Sequence, residues 1–308
     1  MSHRSLPILS LLVVLASEGG AYAFCRTTTV SVPAEFQPSV NACWSKGNPL
    51  FWKNACVGYS INKDASRQVS FDDASQTITR AFTKWTSASC ATDGTSQSRA
   101  SIDVRDIGPV ECGVVQYNQD FGNQHVIVFR DDTWPHNDVN NTLALTTVTF
   151  NPDTGEIYDA DMEINTFQQK VTLTDPVPLD GYDFASIVTH ETGHFLGLAH
   201  SGDSHATMFA SYKPGSTVMR DLTADDVGGI CSVYRPDGAR SLSGNKVVLE
   251  DACDPTPRHG FTTQCAPSVK KGCSGNAIAP QRSETNPRLL LASALAALLF
   301  RRFRRSGR

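Results

Sequence analysis

Three histidines and one glutamate stand at spacings that suit metal-assisted hydrolysis. The run His190-Glu191-Thr192-Gly193-His194-Phe195-Leu196-Gly197-Leu198-Ala199-His200 fits H-E-x-x-H-x-x-G-x-x-H at every fixed position. Four residues along an α-helix advance about 400°, so His190 and His194 share one face about a turn apart. Two imidazoles placed that way can bind one zinc ion. Glu191 sits beside the first of them, placed to touch a water at the metal rather than the metal itself. A straight helix would carry His200 about 9 Å beyond His194. The chain must therefore stop and turn back, and Gly197 supplies the left-handed residue that ends helices. Three protein ligands leave one zinc position open, which separates a catalytic site from a closed structural one. A bare H-E-x-x-H occurs in ordinary amphipathic helices. The added Gly197 and His200 are what select the metal site.

The flanking residues predict the elements that must hold this motif. Asp183 can cap the motif helix, and Phe184, Ile187, Val188 and Phe195 pack it inward. Upstream, Ser70 can cap another helix, with Asp72 and Asp73 in its first turn. Phe71, Ala74, Ile78, Phe82 and Trp85 follow at steps of three and four, giving one apolar face. Strand-like runs lie at Val57–Ile61, Ile102–Asp106, His125–Phe129, Leu143–Phe150 and Ile157–Asn165. Pro152-Asp153-Thr154-Gly155 reads as the turn joining the last two. A final helix is predicted over Thr223–Tyr234, with Asp225 and Asp226 in its first turn. Strands gathered first and helices around one face argue for an α+β fold.

Both ends of the 308-residue chain read as addresses. Residues 1–23 begin with His3 and Arg4, run apolar from Leu6 to Ala16 and finish Ala21-Tyr22-Ala23. That is a signal peptide with cleavage before Phe24, since the apolar run is too short to span a membrane. At the other end Leu289–Phe300 is apolar apart from Ser293, and Arg301, Arg302, Arg304, Arg305 and Arg308 follow. Upstream stands Cys273 in Gly272-Cys273-Ser274-Gly275. This order of cysteine, polar spacer, short hydrophobic helix and arginine cluster resembles the C-terminal sorting tag of myxobacterial surface proteins. The resemblance implies transient membrane association through this segment and a protein left at the cell surface. A marginal tail anchor, or an arginine-rich end with no address, are the alternatives.

Net charge is −4 even with those arginines, so the body has no electrostatic case for binding nucleic acid. Cys25, Cys43, Cys56, Cys90, Cys112, Cys231, Cys253 and Cys265 are expected to pair in an exported chain, leaving Cys273 single. Proximity alone suggests Cys90–Cys112 and Cys253–Cys265. The resulting layout is a signal peptide (1–23), an extension (24–48), a catalytic body (49–238), a linker held by one disulfide (239–287) and a sorting segment (288–308).

The extended zinc motif resembles that of the metzincin metallopeptidases, and its surroundings resemble their matrixin branch. Ala206-Thr207-Met208-Phe209-Ala210-Ser211-Tyr212 is similar to the A-x-M-Y-P-x-Y turn, with Phe for Tyr and Ala for Pro. The resemblance implies that Met208 forms the hydrophobic floor beneath zinc and that Tyr212 lines the pocket for the side chain after the scissile bond. Plain core packing is the other reading of Met208, and Met219 fits the spacing worse. Leu222-Thr223-Ala224-Asp225-Asp226-Val227-Gly228-Gly229-Ile230 resembles the L-x-x-D-D-x-x-G-I helix, whose aspartates are structural and can anchor the mature N-terminus. Ala81-Phe82-Thr83-Lys84-Trp85 is similar to the A-F-x-x-W helix. The likeness covers 49–235. It implies a twisted mixed five-stranded sheet packed on two long helices, with a C-terminal helix after the Met-turn.

Three departures follow. Thr142-Leu143-Ala144-Leu145-Thr146 lacks a histidine that matrixins often use for a second, structural zinc. One catalytic zinc is therefore expected, with His125 and His136 as surface or packing residues. Asp159, Asp161 and Glu163 alternate along a strand and could offer hard oxygen ligands to calcium, or could form a solvated strand face. There is no typical propeptide with a zinc-capping cysteine. Cys25 or Cys43 could block zinc, with disulfides favoured for both.

The chemistry expected is peptide-bond hydrolysis by an exported monomer acting on protein or peptide substrates. Zinc lowers the pKa of its water, and Glu191 takes the proton and returns it to the leaving amine. The resemblance adds that Leu143–Phe150 could receive an extended substrate as an added strand. A surface binding or adhesion protein on the same fold is the rival, but it would be expected to lose Glu191 or a ligand. An astacin-like peptidase would place a tyrosine two residues past the methionine, where Ala210 stands.

Overall fold

The computed structural model describes residues 23–33, 35–39, 42–90, 98–138, 140–240 and 253–267, together with a strand at Ala294–Ala297. In chain order the elements are β1 (Cys25–Arg26), β2 (Cys56–Ile61), α1 (Phe71–Thr86), β3 (Asp103–Asp106), β4 (Val126–Phe129), β5 (Ala144–Phe150) and β6 (Ile157–Ile164). They continue with β7 (Val171–Thr172), β8 (Tyr182–Asp183), α2 (Phe184–Phe195), β9 (Leu198–Ala199), α3 (Ala224–Val233) and β10 (Ala294–Ala297).

Local signals start each helix. The Ser70 side chain accepts from Asp73 N, that of Asp183 from Ser186 N, and that of Thr223 from Asp226 N. Each thus satisfies one of the backbone donors that a helix leaves unpaired at its start. At Thr223 the carboxylate of Asp226 also reaches back to the cap N–H, completing a reciprocal box.

The body's sheet runs β5-β6-β4-β2-β3, antiparallel at β5/β6 and parallel elsewhere. This is the mixed five-stranded α+β architecture. The Pro152–Gly155 turn joins β5 to β6, with Gly155 N donating to Asn151 O at 2.8 Å. Outside β5, Ala294–Ala297 adds an antiparallel sixth strand. That part of the apolar tail was expected to be helical. It is extended because the free edge of β5 offers unpaired backbone groups. Cys273 and the terminal arginines lie outside the described residues. No helix among the described residues is long and apolar enough to cross a membrane.

One face of the sheet carries the core. The Tyr59 ring of β2 meets Phe82 of α1 at 4.7 Å, and Phe82 meets Phe195 of α2 at 5.0 Å. Trp85 Nε1 donates to Thr189 O at 2.8 Å, which ties the two helices together. Truncating a ring such as Phe82 or Trp85 to alanine would cost about 3–5 kcal/mol.

The other face is covered by the chain between β3 and β4 and by the 253–267 arm. Glu111 N donates to Thr263 O at 2.9 Å, and Asn123 N to Gly260 O at 2.9 Å. Among the described residues four disulfides are present: Cys25–Cys43, Cys56–Cys253, Cys90–Cys231 and Cys112–Cys265. Two expected pairings are thereby corrected. Cys90, just past α1, meets Cys231 of α3, and Cys253 and Cys265 each bond to the body rather than to one another. Folding brings these residues together across 141 to 197 positions, so proximity in sequence misleads.

Candidate metal centre

The motif helix delivers His190 and His194 from its last turns, and Gly197 then bends the chain. Its φ is +91°, and a Cβ there would lie 2.8 Å from Leu50 O. His200 returns beyond β9, and the ligating nitrogens of His190, His194 and His200 come within 4.8 Å of one another. Backbone carbonyls set the tautomers. His190 Nδ1 donates to Thr207 O at 2.6 Å, and His194 Nδ1 donates to Leu198 O at 2.8 Å. With those protons placed, each Nε2 of the neutral rings carries a lone pair, and the two Nε2 atoms stand 3.1 Å apart. Among the described residues His200 Nε2 is buried without a hydrogen-bond partner. Lone pairs gathered this closely repel unless an electrophile sits among them. Three imidazole nitrogens with carbonyl-fixed outer protons are the donor set that suits zinc. Burial lowers the pKa of all three rings, that of His194 to about 4. They are therefore neutral and able to ligate at neutral pH.

Glu191 is buried beside them. Desolvation pushes its carboxyl up to about 8, and a hydrogen bond from Thr146 opposes that rise. A dication at the triad would favour the carboxylate and pull the value down.

Met208 packs beneath this turn. A Cβ built on Gly193 would meet Met208 Sδ at 2.3 Å and Trp85 at 2.9 Å, so the motif's second variable position must be glycine. Asp226 holds the Met-turn, accepting from Thr207 N at 2.8 Å and Met208 N at 3.1 Å. Tyr212 is buried, and its hydroxyl donates to Ser216 O. Arg220 forks onto Asp183 at 2.9 and 2.8 Å, tying the segment after Tyr212 to the cap of α2. The extension closes the opposite side. Strand β1 pairs antiparallel with β9, and Thr27 N donates to Gly197 O at 3.0 Å. Cys25 and Cys43 are bonded to each other.

Asp159, Asp161 and Glu163 do not bring three ligand atoms to one point among the described residues. Asp159, Asp161 and Glu163 are each only 2% exposed, so the solvated strand face is overturned. Glu163 is taken by Arg130 at 2.6 Å and His136 at 2.6 Å. Among the described residues the histidine triad is the only group of three or more ligating side chains that could hold one ion. His125 packs inside, its ring 5.0 Å from Trp52 and its Nδ1 2.7 Å from Gly58 O.

Sequence reading missed Thr146, Thr207, Gly193, Asp226 as the Met-turn holder, and Arg220. Only Gly193 carried a usable signal, as a helix-interior glycine that costs stability unless packing requires it.

Fold and site together define a metzincin-type catalytic domain. A family model for the matrixins (peptidase M10) matches residues 51–235, and the chain belongs to that family. It is 28% identical over 211 residues to the metalloendoproteinase 1-MMP of Arabidopsis thaliana, covering 68% of this chain and 51% of the relative. It is 29% identical over 224 residues to human neutrophil collagenase, covering 72% and 38%. Human matrilysin matches at 37% over 115 residues, covering 37% and 39%. The chain thus spans about half or less of the length of these relatives.

Proposed function

We propose that this chain is an exported zinc endopeptidase, with a catalytic body over 49–238 and a disulfide-fixed arm at 253–267. The observation that carries the reading is the convergence of three neutral imidazoles with Glu191 beside them, next to β5, the outer strand of the body's own sheet. His190, His194 and His200 would hold the zinc, which when bound supplies Lewis-acid polarisation of a carbonyl and a more acidic water. Glu191 accepts a proton from the attacking water and passes it to the leaving nitrogen. Strand β5 receives an extended protein or peptide substrate by backbone pairing, the mode in which it already takes Ala294–Ala297. Tyr212 borders the pocket for the residue after the cut. Relatives named metalloendoproteinase and collagenase support the reaction class.

Export is supported at the other end of the body. Ala23 N and Phe24 N lie 2.5 and 2.9 Å from Asp225 Oδ1. Cleavage after Ala23 would leave the Phe24 ammonium paired with that carboxylate. The tail at 288–308 acts in surface sorting and touches the membrane transiently. The mature protein is a monomer.

The test is direct. The mature chain from Phe24 is expressed under oxidising conditions, zinc per chain is measured, and denatured proteins are offered with and without a chelator. One zinc per chain and chelator-sensitive cleavage are expected. Folded zinc-free protein, or cleavage that survives Glu191→Ala, would sink the proposal.

A further inference from the structure

Thr146 is fully buried on β5, and its Oγ1 lies 2.6 Å from Glu191 Oε2. The same hydroxyl is 3.4 Å from Glu191 O. A hydroxyl has one proton to give, and the shorter contact to a carboxylate is the stronger bond. Oε2 is therefore the oxygen anchored by Thr146, and this is the only side-chain hydrogen bond that Glu191 makes among the described residues. We infer that Thr146 is a positioning residue for proton transfer, pinning the Glu191 carboxylate so that Oε1 alone accepts and returns the proton.

The inference rests on Glu191 acting as the base. The bookkeeping is closed. An O–H bond of water breaks as Oε1–H forms and the water oxygen bonds to the carbonyl carbon; then Oε1–H breaks as the leaving nitrogen gains its N–H and the C–N bond breaks. The Thr146 proton stays on Oγ1 throughout. Without the pin, the carboxyl can rotate between the two transfers and carry its proton away from the leaving nitrogen. The residue is well placed for this. Its register partner on β6, Met162, lies in the core, so the side chain is aimed at α2 and not at solvent. β5 is also the strand that the substrate would join, so docking and base alignment share one rigid element.

The test compares Thr146→Val and Thr146→Ser in the mature full chain loaded with zinc. Valine keeps the shape and loses the hydroxyl, while serine keeps the hydroxyl. Misplacing a reacting group costs about 10- to 100-fold, so the valine variant should lose that much kcat. Its KM and zinc content should match the parent, and serine should restore kcat to within about 3-fold. Thr146→Ala repeats the comparison if valine disturbs folding. Unchanged kcat in the valine variant, or equal losses in valine and serine, would overturn the inference. Glu191→Gln is run alongside. If it stays active, the base itself is wrong. If it is dead while Thr146→Val is unaffected, only the pinning role fails. Thr146→Val in the Glu191→Gln background should change nothing further.

Discussion

Two clusters of buried titratable side chains lie on opposite sides of the sheet, and among the described residues only one of them brings three metal-ligating atoms together. Toward the helices, three imidazole nitrogens gather within 4.8 Å, and His200 Nε2 has no hydrogen-bond partner among the described residues. On the far side Asp161 and Glu163 are held by the protein, while Asp159 Oδ1 and His125 Nε2 are buried without a hydrogen-bond partner among the described residues. Asp161 accepts from Val126 N at 2.6 Å and from Gln116 N at 3.0 Å, and Glu163 takes Arg130 and His136. Asp159 Oδ1 stands 3.7 Å from His125 Nε2, and Asp161 is its close neighbour. Burial and displaced pKa values occur in both clusters, so neither property marks function alone. What separates them is convergence. Asp161 pins the chain before β4 and Glu163 pairs with Arg130 and His136, whereas three imidazole nitrogens come within reach of one ion.

The contrast can be broken experimentally, beginning with its largest expected effect. Glu191→Gln should lower kcat about 10²–10⁴-fold while zinc content holds. A steady-state assay beside metal analysis checks this, and near-normal turnover would place the base elsewhere. Arg130→Ala leaves Glu163 buried with His136 alone, and should cost roughly 3 kcal/mol of stability. Denaturant unfolding measures it. The folded fraction should keep its kcat/KM, and a selective loss of activity would mean that the outer cluster reaches the site.

A smaller effect is expected from Asp159→Asn, and its sign follows from linkage. Burial first, and then the charge of Asp161, raise the Asp159 carboxyl well above its ordinary range, and Asp161 itself is raised to about 7. Groups whose folded pKa is raised contribute stability at low pH. That contribution is lost as pH climbs from about 4, the unfolded value, through the folded value. The groups facing Asp159 are Asp161, His125 and Tyr117. The asparagine variant should therefore gain roughly 1–2 kcal/mol over the parent at pH 8, and little at pH 5. Thermal melts at the two pH values decide it, and a loss at pH 8 would show an ionised, paired Asp159. The smallest change is Met208→Leu, a volume-conserving swap under α2 that should cost less than about 1.5 kcal/mol. A large drop in zinc affinity there would give the methionine sulfur a role beyond packing.

Much of the catalytic side was legible in the sequence because its causes are local. Asp183, Ser70 and Thr223 cap helices through residues three positions on, so their types alone locate the starts. Gly197 could be read for the same reason, as a left-handed residue ending a helix. The helical period alone put His190 and His194 on one face. The outer side was not legible. Alternation along β6 placed its three acids on one face but could not say that the face is covered. The cover comes from the chain near Gln116 and Val126 and from an arm clamped at Cys112–Cys265.

By itself, then, the sequence determined the metal-ligand candidates, the glutamate beside them, the caps and the alternation of strands. Each of these depends on dihedral preference or on a period of a few residues. Only the tertiary structure decided which cysteines meet, that Thr146 touches Glu191 from 45 residues away, that Asp226 holds the Met-turn, and that Glu163 belongs to Arg130. Those contacts depend on strand order and helix docking. Many remote parts of the chain settle that order together, and no short window of sequence records it.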